Sequence, residues 1–395
     1  MRTLAADRDA MVAYAPGFSL DGDADGDGDP AALREEAVRV ARTAEVAVVF
    51  AGLPESAEWE GTDRESLALP DEQVALVRAV AAAAGRTVVV LSNGAVVSLE
   101  GWHDEVDAIV EGWLLGQGGG RAIADVLFGA ANPSGRLAET VPLRLQDHPS
   151  FLNFPGEQDH VRYGEGVLVG YRYFATAEVP VRYPFGHGLS YTSFETRDLR
   201  AVPTGPDTVD VSVTVANTGA RTGKHVVQVY VATGAGPVRR PVRELRAFTK
   251  VELRPGESTT VEFALDRRAF AYYDVVLGGW AVAPGAYTVQ IGENASAVVA
   301  EAAVTLAGDE ADLPLSLDSS LDDWLTHPAV GPDVVRELAA GRSEETIRQG
   351  MRTPEFRMMS SMPIRKFAKY HARDLTAGTL ERLLERHGLA GSGRE

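Results

Sequence analysis

Cysteine is absent from the 395 residues, which excludes disulfides, thiolate metal sites and a cysteine nucleophile together and fits a reducing compartment. No window approaches the roughly 20 consecutive apolar residues that a membrane-spanning helix needs. Residues 1–30 hold Asp7, Asp9 and an aspartate-rich run rather than an apolar stretch, so they do not read as a signal sequence. Positive charge is scarce: 38 Lys and Arg stand against 56 Asp and Glu, a formal net charge of -18. Such a chain does not hold nucleic acid or an anionic membrane through a general positive field; a neutral or cationic ligand suits it better. There is no internal repeat and no long low-complexity tract. These absences describe a soluble, unexported, cytoplasmic protein, although a fragment would carry its export signal elsewhere. The remainder is ordinary globular material, 45% hydrophobic and 24% charged, long enough for two or three domains.

Residues 1–195 alternate between two textures. Short β-branched runs, Ala44–Gly52, Thr87–Ser92 and Ala108–Trp113, read as buried strands. Pro30–Thr43, Asp71–Ala84 and Gly120–Phe128 read as helices, with start signals at Asp29-Pro30 and Pro70-Asp71. That alternation predicts an α/β sandwich with a largely parallel sheet covered on both faces. In such sheets function gathers in loops beyond the C-terminal ends of the strands. Residues 196–306 change period. Val209–Val215 alternates strictly, followed by His225–Val231, Thr259–Leu265 and Tyr287–Ile291, with turns at Pro255-Gly256 and Pro284-Gly285. This predicts an antiparallel sandwich of fibronectin III type. Residues 307–395 predict a helical tail, with Asp333–Ala340, Ser343–Met351 and Thr376–His387 as its helices.

The loop after the first strand runs Gly52-Leu53-Pro54-Glu55-Ser56-Ala57-Glu58-Trp59-Glu60-Gly61-Thr62-Asp63-Arg64, then Leu67-Ala68-Leu69-Pro70. Carboxylates beside a tryptophan at the end of a parallel strand suit acid/base work, because an apolar ring can raise a carboxyl pKa towards neutrality. The same residues also fit a solvated acidic loop in which Asp63 and Arg64 cap and pin the next helix.

This loop resembles the Glu-x-Glu-Gly-x-Asp-Arg signature of glycoside hydrolase family 3. Further blocks resemble the family in order: Gly116-Gln117-Gly118-Gly119-Gly120, Asn132-Pro133-Ser134-Gly135-Arg136-Leu137, Tyr163-Gly164-Glu165-Gly166, Tyr183-Pro184-Phe185-Gly186-His187-Gly188-Leu189-Ser190-Tyr191, Ala216-Asn217-Thr218-Gly219 and Val226-Val227-Gln228-Val229-Tyr230. The resemblance implies a retaining β-glucosidase-type hydrolase acting on a β-glycoside, with no metal and no organic cofactor. An aspartate on a TIM barrel would attack the anomeric carbon, and a glutamate of the α/β domain would protonate the leaving oxygen. That glutamate matches Glu58. Glu60 is the second candidate, expected instead to hydrogen-bond nearby loop groups. Tyr163 and Glu165 are expected to border the substrate pocket.

No barrel motif precedes this domain, and Met1–Tyr14 already resembles the middle of it, so the barrel and the first strands are expected to be missing. A chain with a general acid and no nucleophile is expected to be inactive alone. It would be half of a split enzyme completed by a separate TIM-barrel half, a truncated product or an incomplete gene model. The alternative is a non-catalytic carbohydrate-binding or interaction module. Other features read as bland. Asp322-Asp323-Trp324 imitates a nucleophile motif but fits helix capping. Lys224-His225 fits an exposed polar pair on a strand. Asp21–Asp29 imitates a calcium loop, yet its twelfth position holds Ala32 or Arg34 rather than glutamate. Gly116–Gly120 lacks the Gly-Lys-Ser/Thr ending of a phosphate loop. His187 reads as structural, and Asn294-Ala295-Ser296 is a formal glycosylation triplet.

Overall fold

The β-branched runs form three parallel strands. β1 (Ala47–Gly52), β2 (Thr87–Ser92) and β3 (Ala108–Glu111) make a sheet in the order β1-β2-β3. In this computed structural model the described residues are 11–19, 29–275, 277–309, 315–339, 343–351, 353–371 and 375–389. Residues 1–10 and most of the aspartate-rich run, 20–28, lie outside them. Preceding β1 is helix α1 (Pro30–Ala41), whose N-cap Asp29 accepts from Ala31 N at 3.1 Å, with proline at the first helical position. Helix α2 (Asp71–Ala81) opens on two acids at its positive end. Its Leu76, Val77 and Val80 pack with Val49, Val89 and Trp102. The second face is less covered than the apolar runs predict, since Phe50 of β1 is 46% exposed.

Strand register brings the C-terminal ends together. Gly52 pairs with Ser92, and Leu91 with Glu111. A side chain on Gly52 would run into the Ser92 carbonyl oxygen, so only glycine lets these ends approach so closely. Buried Gln73 of α2 fixes that end, accepting from Gly52 N at 2.8 Å and donating to Gly52 O at 2.9 Å. Helix α3 (Gly119–Leu127) follows β3; a Cβ on Gly119 would press on Leu115, whereas Gly116, Gly118 and Gly120 face open space, so tight helix-start packing accounts for Gly119 alone.

A two-stranded ribbon, β4 (Val141–Pro142) with β5 (Val181–Tyr183), and the short helix α4 (Tyr171–Thr176) lead into the sandwich. One sheet holds β6 (Phe194–Pro203), β7 (Val209–Asn217) and β10 (Ser258–Leu265). The other holds β8 (Gly223–Thr233), β9 (Glu244–Leu253), β13 (Gly285–Asn294) and β14 (Ala297–Leu306). The alternating valines of β7 (209, 211, 213 and 215) are all buried. Buried Gln228 of β8 ties the linker to the sandwich, donating to Gly186 O at 3.1 Å and accepting from Tyr230 OH at 2.8 Å. His187 stacks on Tyr183 at 4.6 Å, a structural position.

The chain divides into two compact units, Met1–Phe270 with Pro284–Ala307, and Ala271–Ala283 with Gly308–Glu395. The one-turn helix α5 (Arg267–Phe270) closes the first part of the former. The second unit holds the hairpin β11 (Tyr272–Asp274) and β12 (Gly279–Ala281) and the helices α6 (Leu321–Thr326), α7 (Gly331–Ala339), α8 (Glu344–Gly350), α9 (Pro354–Ser360), α10 (Ile364–His371) and α11 (Ala377–Arg386). Leu321, Trp324, Val334, Ile364 and Leu380 form its core. Asp322-Asp323-Trp324 opens α6: Ser320 and Asp323 make a reciprocal capping box, and Trp324 is buried with its indole N–H on Ser316 O at 2.9 Å.

One expectation is overturned. Lys224-His225 is not an exposed pair: Lys224 points to solvent, but His225 is 3% exposed, packed on Phe194 at 4.9 Å. Alternation along β8 sends successive side chains to opposite faces, and the histidine falls on the inner one. Burial, with a smaller push from the Arg136 guanidinium, lowers its pKa to about 4. The folded state therefore holds His225 neutral while the unfolded chain protonates near 6.5, so stability is complete above pH 6.5 and declines as pH falls towards 4. The expected loss is on the order of 3 kcal/mol. Urea unfolding of the wild type and His225→Leu between pH 7 and 4 checks this; equal pH slopes in the two proteins would remove His225 as the cause.

Candidate active site

Three loops leave the aligned ends of β1, β2 and β3, and a carboxylate lies where the first two meet. After Gly52 the chain makes a 3-10 turn, Glu55–Ala57, which closes with Glu58 N on Glu55 O at 3.0 Å. This turn aims the Glu58 side chain at the loop after β2. Glu58 Oε1 accepts from Gly94 N at 2.9 Å and Ala95 N at 3.1 Å, and Oε2 accepts from Gly94 N at 2.9 Å. A Cβ on residue 94 would meet both carboxylate oxygens and Leu114 at 3.1 to 3.3 Å, so a glycine there leaves room for the carboxylate.

The loop after β2 has its own support. Asn93 is fully buried, and its Nδ2 donates to Ala95 O at 2.9 Å. The Glu111 carboxylate at the end of β3 accepts from Trp113 N at 2.9 Å through Oε1. Burial raises the Glu111 pKa; hydrogen bonds from Trp113 and Asn93 oppose this, and the Glu139 charge adds to it. From the other side Arg64 donates to Val96 O at 3.0 Å. Burial lowers the Arg64 pKa against the attraction of Glu58. The Asp63-Arg64 pair therefore does not cap α2, whose N-cap is Pro70; Arg64 pins the 93–96 turn instead.

The candidate residues fall into two groups. Glu58 is half-buried and bonded, whereas Glu60 is exposed and makes no hydrogen bond among the described residues. The hydrogen-bonding part expected of Glu60 is thus filled by Glu58. Tyr163 is 80% exposed, and Glu165 is half-buried with one carboxylate oxygen lacking a hydrogen-bond partner. No described hydrogen bond joins Tyr163 or Glu165 to Glu58. Their segment meets the site through charge: Glu165 and Glu139 both act on His148, whose pKa burial lowers, and Glu139 acts on Glu111. Asn93, Gly94 and Glu111 were not singled out from sequence. The available signal was Asn93-Gly94, a turn dipeptide directly after a buried strand. Two shallow hollows, one along Leu53, Ser56 and Asp71 and another by Phe174, Val181 and Arg243, contain neither Glu58 nor Glu60. Among the described residues no cluster of histidine and carboxylates could hold a metal ion, and no helix is long and apolar enough to cross a membrane.

Comparison with known proteins gives this geometry a setting. A family model described as "Glycosyl hydrolase family 3 C-terminal domain" matches residues 5–191, and one described as "Fibronectin type III-like domain" matches 225–295. The chain is similar to an exo-alpha-(1->6)-L-arabinopyranosidase of Bifidobacterium longum, 44% identical over 359 residues, covering 91% of this chain and 47% of the relative. It is also similar to thermostable beta-glucosidase B of Acetivibrio thermocellus, 39% identical over 386 residues, covering 95% of this chain and 50% of the relative. Among solved structures, the crystal structure of a Bifidobacterium adolescentis GH3 beta-glucosidase superposes with a TM-score of 0.78 at 48% identity, covering 84% of this chain and 48% of that one. The chain spans about half the length of the curated relatives it matches.

Arg64 is the tie that can be cut without touching either carboxylate. Arg64→Ala is expected to cost about 1 kcal/mol of stability and to loosen residues 53–70. Limited chymotrypsin digestion reads this as faster cleavage after Trp59, which is 60% exposed. Unchanged cleavage would mean the loop holds its shape without Arg64.

Proposed function

This chain belongs to glycoside hydrolase family 3, of which it carries the C-terminal α/β domain and the fibronectin type III-like domain, and on that premise we propose that it supplies the general acid/base of a retaining exo-glycosidase. The substrates are β-linked glucosides, xylosides or similar small glycosides. Glu58 is the proposed proton donor. The observation behind this is the capture of its carboxyl by the Gly94 and Ala95 amides at the C-terminal ends of the parallel strands. Oε1 is occupied by two donors and Oε2 by one, so a proton carried by this group sits on Oε2. That gives the acid a fixed direction from which to protonate a glycosidic oxygen, the positional requirement of general acid catalysis.

Retention requires a second carboxylate about 5–5.5 Å from the first, to form the glycosyl–enzyme bond that water then hydrolyses. In this reading it comes from a TIM barrel docked against the face that carries Glu58, and Tyr163 and Glu165 border the sugar. Without that partner the chain has negligible activity. Exposed Trp59 beside the acid loop gives an apolar surface against which a sugar can pack. A second reading makes Glu60 the donor and Glu58 the anchor of its loop; the exposure of Glu60 and its lack of a described partner favour it. The arabinopyranosidase relative widens the sugar to be tried.

The test is hydrolysis of aryl β-glucosides, β-xylosides and α-L-arabinopyranosides by the chain alone and mixed with a separately expressed family 3 barrel. Activity is expected only on mixing. Glu58→Ala is expected to lower it by about 10²–10⁴-fold. Azide is expected to restore turnover of a dinitrophenyl glycoside in that variant, because it attacks the glycosyl–enzyme without needing a base. If Glu60→Ala gives this pattern and Glu58→Ala does not, Glu60 is the donor. Hydrolysis by the chain alone overturns the need for a partner, and silence of every mixture leaves the binding-module role as the better account.

A further inference from the structure

Glu58 owes its direction to two backbone amides, and those amides owe theirs to the turn at 93–95. Arg64 holds its far end at Val96, and one side chain within the turn itself holds the rest. Asn93 is fully buried, and its amide nitrogen donates to the Ala95 carbonyl, two residues on, at 2.9 Å, while its side chain also acts on the Glu111 carboxylate of the neighbouring strand end. Its own carbonyl oxygen Oδ1 is buried with no hydrogen-bond partner among the described residues. An unmet acceptor inside a protein costs free energy and is uncommon. An asparagine retained on those terms is there for its donors.

Glu111 is equally constrained. Its Oε1 closes on the amide of Trp113, whose backbone has φ 51, the left-handed region that a bulky side chain rarely adopts. The carboxylate is thus held between a strained turn after β3 and the asparagine after β2. Hydrogen bonds join Trp113 N to Glu111, Asn93 to Ala95 O and Ala95 N to the Glu58 carboxyl. Asn93 acts on Glu111 across the neighbouring strand ends, so the chain of neighbours spans the ends of all three parallel strands.

We infer that Asn93 and Glu111 are positioning residues for the Glu58 carboxyl: Glu111 orients Asn93, Asn93 folds the 93–95 turn, and the turn presents the two amides that aim Glu58. The inference rests on the reading of Glu58 as proton donor for its catalytic meaning, but the positioning is measurable without turnover. It predicts a one-way dependence. Removing Asn93 releases Glu58, whereas removing Glu58 leaves Asn93 bonded to Ala95.

Amide hydrogen exchange on the full chain tests this. In the wild type the Gly94 and Ala95 amides are expected to exchange slowly, and in Glu58→Ala to lose that protection. In Asn93→Ala, with Glu58 still present, protection is expected to fall by ~10-fold or more. Glu111→Ala should lower it as well, while Glu111→Gln, which keeps an oxygen acceptor for Asn93 and Trp113, should restore it. If Asn93→Ala fails to fold, the Glu111 pair decides. Protection at 94 and 95 that survives both Asn93→Ala and Glu111→Ala overturns the inference. In the barrel-complemented enzyme, Asn93→Ala should lower kcat/KM by ~10-fold on an alkyl glucoside and spare kcat/KM for a dinitrophenyl glycoside, whose departure needs no proton and whose later hydrolysis step does not enter that ratio. An equal loss on both substrates would reduce Asn93 to general support and also overturn the inference. If Glu58→Gln still cleaves alkyl glucosides at the full rate, the donor assignment fails while the exchange data still judge the positioning.

Discussion

A carboxylate placed among the ends of buried strands needs donors, and in this domain the nearest ones are backbone amides. Everything distinctive about the site follows from meeting that need. The register of β1 with β2 sets Gly52 beside Ser92, and the absence of a side chain at Gly52 lets the two loops leave their strands almost in contact. Only then can the 3-10 turn at Glu55–Ala57 carry Glu58 onto the amides of Gly94 and Ala95. A residue with a side chain at 94 would crowd the space the carboxylate uses. Two glycines, one at a strand end and one in a turn, thus make room for one side chain.

Around that contact, charge is arranged in layers of decreasing solvent access. Arg64 faces Glu58 from a half-buried position and spends its hydrogen bond on Val96 O rather than on the carboxylate. Its guanidinium acts through space, and the carboxyl keeps its amide partners. Glu111 lies deeper, with its pKa raised by burial. Glu139 and His148 carry the same electrostatic neighbourhood towards Glu165. The segment holding Tyr163 and Glu165 thus reaches His148 by charge and makes no described hydrogen bond to Glu58.

How far the sequence could be read depends on what each residue does. The strands at the middle of each sheet were legible because burial on both sides or strict alternation leaves a plain pattern: Thr87–Ser92 in the parallel sheet, Val209–Val215 in the sandwich. The edge strands β1, β3 and β10 were legible too, but β6, β9 and β14 were not, β6 and β9 because they carry charges such as Arg197, Arg200 and Lys250 among their apolar positions. His225 was misjudged because a polar residue on a strand gives no sign of which face it takes. In the site, Glu58 was legible through resemblance and loop placement. Asn93 and Glu111 were hidden inside what reads as strand ends, because the register of neighbouring strands brings them near the site, which no linear pattern records.

The bonds that shape this loop all lie within one domain: Glu58 to residues 94 and 95, Arg64 to Val96, Asn93 to Ala95. None of them waits for another surface to arrive. Yet the shallow hollows of the described structure leave Glu58 and Glu60 outside, and Trp59, Leu114 and Tyr163 stand open to water. Geometry and enclosure are therefore separable here. A wall brought against this face would change the solvation of Glu58 far more than its position. In a dry site a fixed hydrogen-bonding group acts more strongly than in water, and it needs no reorganisation when the reaction occurs. A carboxyl aimed in advance by its own backbone is the kind of group that gains from being covered, since covering it alters the medium and leaves the aim intact.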